Sequence, residues 1–285
     1  FVKRYKMNKG RISVHLPSKN RPTELSLLLQ SLRTQTYQDF DIIILDDGSG
    51  TPILNYGFMA CMIARLKLES HRVKIIRNDI SLGVTKARNK LLDEDFFGNE
   101  FVCRLDDDVI CESDYLEKLI SVIDSGYDLA SGVTPPMMYP EVERETRFVK
   151  PIINDVVLDE KGEVVKNGDD CGFTYSTGEI IPTHHFRSSA LIKREVHEKV
   201  KYENNLTKCG WREEEFFSFR ALLAGFKIGV HTGAIHYHML TPSGGQRTQD
   251  YMQMHTIQDG IFRDFTKKLR AQSDFLKEYN GKVTK

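Results

Sequence analysis

Four short apolar runs rich in β-branched residues, at 12–16, 41–45, 73–77 and 101–105, punctuate the first hundred or so residues, and each leads directly into polar or turn-forming residues. Runs this short and this apolar predict strands buried on both faces, as in a largely parallel sheet covered by helices. The segments between them agree. Pro22 and Thr23 open a stretch in which Leu25, Leu28, Leu29 and Leu32 fall on one helical face. Helices are predicted again over 81–92 and 113–125, with Ser81 and Ser113 as candidate N-caps, and 128–133 reads as a further strand. Residues 1–134 therefore predict an α/β fold, a doubly wound sheet of repeated βα units.

The pattern then changes. Residues 135–182 are irregular, apart from a hairpin expected in VVLDEKGEVV with its turn at Glu160, Lys161 and Gly162. Order returns at 187–193, in a helix over 211–224 that Gly225 would end, and in strands over 227–230 and 234–238. Past residue 247, Tyr251, Met254, Ile257, Ile261 and Phe262 keep helical spacing. Three parts follow: a βα half at 1–134, a smaller second half at 135–246, and a helical extension at 247–285.

Forty Lys and Arg offset forty Asp and Glu, so overall charge gives no reason to expect nucleic acid as a partner. Cys61, Cys103, Cys111, Cys171 and Cys209 form an odd, scattered set without a C-x-x-C pair, which disfavours a disulfide framework and a zinc knuckle. No stretch has the ~20 apolar residues that span a bilayer. The expected setting is the cytoplasm, or the periphery of a membrane.

Ligands of doubly wound sheets bind outside the carboxyl ends of the strands, so the residues after each strand are the candidates for chemistry. The first strand ends in PSKNR, which contains Pro17, Ser18 and Arg21; the second ends in DDGSG, the fourth in DDD, and GVTKARN opens the third helix. Asp46 or Asp47 can accept hydrogen bonds from a base or ribose, and Lys86 and Arg88 can meet phosphate oxygens. Three adjacent carboxylates repel one another unless a cation offsets them. Strand alternation would put Asp106 and Asp108 on one face, a pair suited to Mg²⁺ or Mn²⁺. A second acidic cluster, Glu213, Glu214 and Glu215, follows Trp211 at the start of a predicted helix. One of its members can act as a general base, and Trp211 can pack on a sugar ring. His236 and His238 share one side of a strand that precedes Ser-Gly-Gly, where a neutral imidazole can complete a metal shell.

In order and spacing, SVHLPSKNRP, FDIIILDDGSG, GVTKARN, RLDDDV and WREEEFFSFRALLAGFKI closely resemble the family-2 glycosyltransferases of GT-A fold, over about 12–247. The resemblance implies an inverting, hexosyltransferase-like enzyme that moves a sugar from a nucleotide-sugar donor, a UDP-sugar first, to a glycan or other hydroxyl acceptor in polysaccharide biosynthesis. It implies Mn²⁺ or Mg²⁺ as cofactor. Residues 1–134 become the nucleotide-sugar half and 135–246 the acceptor half. Pro17, Ser18, Arg21, Asp47, Lys86, Arg88, Asp106 and Asp107 are expected at the donor. Asp108, with Asp106 in the D-x-D element, and His238 are expected at the metal. Glu214 aligns with the family's base, with Glu213 or Glu215 as alternatives, and Trp211, His184 and His185 would meet the acceptor.

Two other classes compete. One is a non-catalytic relative that binds nucleotide-sugar or glycan. The other is a metal-dependent nucleotidyltransferase, disfavoured because neither GxGxxG nor GxxxxGK[ST] occurs.

Overall fold

The computed structural model describes residues 8–134, 156–158, 164–167, 178–183, 185–186, 188–241 and 244–245, with parts of a helical segment between 253 and 265. Three βα units lead. β1 (Asn8–Ser18), β2 (Phe40–Asp47) and β3 (Val73–Asn78) alternate with α1 (Pro22–Arg33), α2 (Gly57–Leu68) and α3 (Val84–Asp93), and β4 (Asn99–Arg104) follows. β1 lies between β2 and β4, parallel to both, and β3 is parallel to β2 at the edge. The four apolar runs are these four strands.

The sheet then becomes mixed. β5 (Val109–Cys111), α4 (Tyr115–Asp124) and β6 (Leu129–Val133) are followed by the hairpin of β7 (Val156–Leu158) and β8 (Val164–Asn167). β9 (Ile180–Thr183), β10 (Ala190–Lys193), α5 (Arg194–Lys199), α6 (Glu213–Leu223) and β11 (Ile228–His238) complete the named elements. Nine strands join in the order β3-β2-β1-β4-β10-β6-β11-β5, with β9 also on β11. β10 inserts antiparallel between β4 and β6 and so carries the later half into the same sheet.

Alternation along the strands distributes two layers. Ile12, Val14 and Leu16 of β1 and Ile42 and Ile44 of β2 pack with Leu25, Leu28, Leu29 and Leu32 of α1, Met59 and Ile63 of α2, and Leu116 and Leu119 of α4. On the opposite face, Ile43 and Leu45 meet Ala87 and Leu91 of α3. A second cluster joins Ile192, Val196, Phe217, Ala221 and Ile228 beneath α5 and α6. Phe262 is fully buried and packs against Phe216 and Phe219, which seats the C-terminal helical segment on α6. Tyr251 lies outside the described residues.

Several expectations change in detail. α3 begins at Val84 with Gly83 as its cap, and α4 begins at Tyr115 with Asp114 as its cap. Ser81 instead donates to Asp47, at 2.8 Å. The two strands expected at 227–230 and 234–238 are one strand, β11, whose register on β6 shifts between Val230 and Ile235. Gly132 makes that irregularity possible, since a Cβ there would collide with the Ala234 carbonyl oxygen. β11 consequently changes neighbours along its length and pairs His236–His238 with β5.

One contact ties the start of α3 to the segment that precedes α6. Val84 N–H donates to the Lys208 carbonyl at 3.1 Å. Gly83 has φ +88°, and a Cβ on it would lie 2.7 Å from Lys208 Cα. Gly83→Ala combines left-handed backbone strain with overpacking, for a cost of about 2–4 kcal/mol. A thermal melt should show a fall of several degrees, whereas Gly126→Ala, at an open position with φ +94°, should show only the smaller backbone effect.

Candidate active site

The carboxyl ends of β1, β2 and β4, the end of β11 and the first turns of α3 and α6 supply the polar residues singled out by sequence. Their partners divide them into two linked groups.

The first group surrounds Glu213. Arg104, fully buried in β4, grips its carboxylate with both terminal nitrogens, with Nη1 at 2.7 Å from Oε2 and Nη2 on Oε1. Arg88 of α3 adds Nε at 3.0 Å from Glu213 Oε1 and sends Nη2 to Asp106 Oδ1 at 2.6 Å. Asp106 also accepts from Ser188 Oγ at 2.6 Å, and Arg104 Nε donates to the Ser188 carbonyl at 3.0 Å. The DDD turn, the acidic helix and the β9–β10 connection thus share one buried ionic network. Burial raises the Asp106 carboxyl, but the nearby Arg88 and Arg104 outweigh it and hold Asp106 well below the usual carboxylate range.

Glu214 stands apart. Its side chain is 22% exposed against 3% for Glu213, and its nearest ion-pair contact is Arg104 Nη2 at 3.7 Å. Burial, then repulsion from Glu213, outweighs the pull of Arg104, and with Glu215 and Asp106 also opposing ionisation its carboxyl is pushed up to about 8. Glu215 is buried and lies 3.4 Å from Arg212. Of the three glutamates, Glu213 is committed to two arginines and Glu215 is turned inward, which leaves Glu214 with the poised, partly open carboxyl.

The second group surrounds Arg21. Its Nη1 donates to Asp107 Oδ1 at 3.0 Å and lies 2.9 Å from Asp108 Oδ2, while Nη2 reaches the Thr241 carbonyl at 3.3 Å. Ser18 Oγ donates to Asp107 Oδ2 at 2.7 Å. Burial, with Asp108 alongside, pushes the Asp107 carboxyl up to about 6 despite Arg21. Val109 pairs with His238, and Met239 N–H donates to the Asp108 carbonyl at 2.9 Å, so β5 and β11 bring His238 Nε2 to 3.2 Å from Asp108 Oδ1. His236 is fully buried, 3.0 Å from Thr134 Oγ1, and burial lowers its pKa to about 3. His238 is therefore the histidine set against a carboxylate.

The expectation that Asp106 and Asp108 share one face is not met. β4 ends at Arg104, so the DDD segment is a turn without strand alternation, and Asp106 is engaged by Arg88 and Ser188 while Asp108 faces His238 and Arg21. Among the described residues, no group of three His, Cys, Asp or Glu side chains is placed to hold a metal. Asp108 and His238 supply one carboxylate and one imidazole, and Asp108 Oδ2 is buried without accepting a hydrogen bond. Such a pair suits Mn²⁺ or Mg²⁺ when phosphate oxygens and water fill the remaining positions.

The other expected residues occupy varied settings. Pro17 is half-buried at the end of β1, and Lys86 is exposed on α3. Asp47 is buried and accepts from Asn78 Nδ2, Ser81 Oγ and the Leu82 and Gly83 N–H groups at 2.7–3.1 Å, so it shapes the turn into α3. Asp46 does the same for its own loop through Ser49 N, Ile53 N and Arg77. Trp211 is half-buried, with the Arg212 guanidinium 5.5 Å from its ring. His185 is buried, and His184 lies outside the described residues. Arg104 is a member of the Glu213 network that the sequence pattern does not single out. A charged residue at the end of an apolar strand was the available signal for Arg104.

Comparison with known proteins places this arrangement. The fold matches GalNAc-T7 with UDP, GalNAc and Mn²⁺ (TM-score 0.60, 16% identity, 84% of this chain and 44% of that one). It also matches S. aureus TarS 1–349 in complex with UDP (TM-score 0.53, 18% identity, 86% and 63%), so this chain spans less than two thirds of either. The molecule is an α/β protein of GT-A type. Residues 13–200 match the family model of Glycosyl transferase family 2, and the chain belongs to that family. It is similar to an uncharacterized glycosyltransferase of Haemophilus influenzae, 28% identical over 279 residues, covering 95% of this chain and 78% of the relative. It is also similar to the amylovoran biosynthesis glycosyltransferase AmsB of Erwinia amylovora, 22% identical over 244 residues, covering 82% and 71%.

The raised carboxyl of Glu214 has a consequence for stability. Its folded pKa of about 8 exceeds the ordinary 4.5. The stabilising contribution is complete below pH 4.5 and is lost as pH rises towards 8, because the unfolded chain ionises more easily than the folded one. Glu214→Gln mimics the neutral form, so it should melt like the parent near pH 4.5. At pH 8.5 it should be more stable by roughly 4–5 kcal/mol, on the order of 10 °C in Tm. Equal melting offsets at both pH values would contradict the raised carboxyl.

Proposed function

We propose that this glycosyltransferase moves a sugar, a hexose by preference, from a UDP-sugar to a hydroxyl of a growing glycan by inverting single displacement. The observation that carries the reading is the buried Arg88–Glu213–Arg104 bridge. It ties Asp106, beside the donor-side carboxylates, to the turn of α6 that presents Glu214.

Glu214 accepts the proton from the acceptor hydroxyl as its oxygen attacks the anomeric carbon on the face opposite the departing nucleoside diphosphate. A carboxyl titrating near 8 binds that proton readily, and the ionised fraction, about one tenth at pH 7, grows as pH approaches 8. Glu213 and Arg104 hold the Glu214 turn in place and do not themselves take the proton. Asp108 and His238 would hold Mn²⁺ or Mg²⁺, which when bound offsets the charge of the diphosphate leaving group. Pro17, Asp47 and the turn into α3 form the proposed nucleoside side. Trp211 and the connection that carries Ser188 form the acceptor side. The functional halves divide near residue 134 although one sheet runs through both. The similarity to AmsB, a glycosyltransferase of amylovoran biosynthesis, supports an acceptor of polysaccharide type.

Glu214→Gln should leave UDP binding within about twofold by calorimetry while lowering transfer by at least about 10³-fold, the upper range of general-base effects. Unchanged turnover removes Glu214 from this role. In the parent, kcat should climb with pH through the titration of Glu214 near 8. Calorimetry with UDP, GDP and dTDP, each with and without Mn²⁺, tests the donor. UDP should bind with Mn²⁺ and bind more weakly after chelation, and binding of none of the three ends the nucleotide-sugar reading.

A further inference from the structure

Arg21 lies against two of the three aspartates of the DDD turn. It is 7% exposed, and it brings the positive charge to Asp107 and Asp108 together. Its bonds are unequal. Nη1 makes a hydrogen bond to Asp107 Oδ1, and Nη2 makes one to the Thr241 carbonyl. Asp108 Oδ2 is only 2.9 Å from Nη1, yet it accepts no hydrogen bond. Backbone holds the arginine from above. Gly245 N–H donates to the Lys19 carbonyl at 2.8 Å, and Cβ atoms added to Gly244 and Gly245 would lie 2.6 Å from Arg21 Cγ and 3.1 Å from Arg21 Cζ. The two glycines thus let the chain lie against the guanidinium.

We propose that Arg21 is a resident counter-cation of the DDD turn that competes with a divalent ion for Asp108, and that it yields Asp108 while keeping Asp107 and the Thr241 carbonyl. The inference rests on the reading of Asp108 and His238 as the metal-holding pair and adds an opponent to it. The unequal bonding supports this order of events. Loosening Arg21 from Asp108 sacrifices an electrostatic contact without a hydrogen bond, whereas leaving Asp107 would sacrifice a charge-assisted hydrogen bond, the stronger kind. A divalent ion places twice the charge on Asp108. Arg21 sets the threshold at which it does so.

The test is calorimetric titration of the whole chain with MnCl₂ alone, without nucleotide. Arg21→Met keeps length and removes the competing charge, so Mn²⁺ should bind about 10- to 100-fold more tightly than to the parent, the size expected of a unit charge at this range in partly screened surroundings. Arg21→Lys, which keeps the charge, should stay within about threefold of the parent. Lys86→Met removes an exposed cation and measures the general field, and its effect should be no more than about twofold. Asp107→Asn takes away the preferred partner and concentrates Arg21 on Asp108, so Mn²⁺ should bind more weakly. That variant carries the test should Arg21→Met not fold, as judged by circular dichroism.

Equal affinity in Arg21→Met and the parent, or tighter binding in Asp107→Asn, overturns the counter-cation while leaving the metal pair standing. Failure of Mn²⁺ to bind the parent with UDP present, and to bind Arg21→Met at all, overturns the metal pair and this proposal together.

Discussion

The candidate site depends on one buried arrangement of charge. Arg104 and Arg88 converge on Glu213, and Arg88 continues to Asp106. Two arginines and one fully enclosed carboxylate would be a costly combination, because each desolvated ion loses several kcal/mol of hydration. The cost is offset by geometry: a two-point grip on Glu213, a further bond from Arg88, a bond from Arg104 to the Ser188 carbonyl, and the Phe186 and Tyr202 rings 5.1 Å and 5.4 Å from the guanidinium. A network like this contributes less to net stability than to uniqueness. It admits few relative positions of β4, α3 and α6, and those elements position the DDD turn and Glu213–Glu215.

The same chemistry is used differently around Arg21. There a single arginine serves two carboxylates and leaves Asp108 without a hydrogen bond on its Oδ2. The three aspartates of one turn therefore have three fates. Asp106 is drawn into the interior network, Asp107 is tied to Arg21 and Ser18, and Asp108 meets His238 across the β5–β11 pairing. A run of identical residues becomes a graded set because each faces a different element of the fold.

Much of the fold is legible in sequence because burial writes itself into composition. β2 is apolar on both faces and α1 carries its leucines at helical spacing, whereas β1 sets Ser13 and His15 opposite its apolar face and β3, at the sheet edge, is only half-buried. α2 is harder to see, because Phe58 and Leu68 remain exposed at 47% and 77% and blur any apolar stripe. The start of α3 shifts because Ser81 satisfies the Asp47 carboxylate, a tertiary bond that outranks the local role. The candidate site divides in the same way. Carboxylates at strand ends can be read directly, since their place follows from the fold class. What each one faces cannot. Asp106 and Asp108 diverge because β4 ends at Arg104 and a turn intervenes, and Ser188 enters from the β9–β10 connection, whose place beside Asp106 no local pattern encodes.

Why Glu214 rather than its neighbours holds the poised proton follows from comparing magnitudes. All three glutamates lie in the first turn of α6, where the helix dipole favours ionisation by about 0.3–1 kcal/mol. That bias is common to the three and is too small to distinguish them. Burial raises the Glu214 carboxyl most, and the Glu213 carboxylate, gripped by two arginines, opposes its ionisation further. Moving a carboxyl from 4.5 to about 8 corresponds to roughly 5 kcal/mol against the charged form, which exceeds the dipole several-fold. Arg104, 3.7 Å away, supplies the opposing pull. Burial and the clamped neighbour together thus make Glu214 basic, and the sequence EEE reads as one carboxylate held by arginines, one raised by its surroundings, and one turned inward towards Arg212.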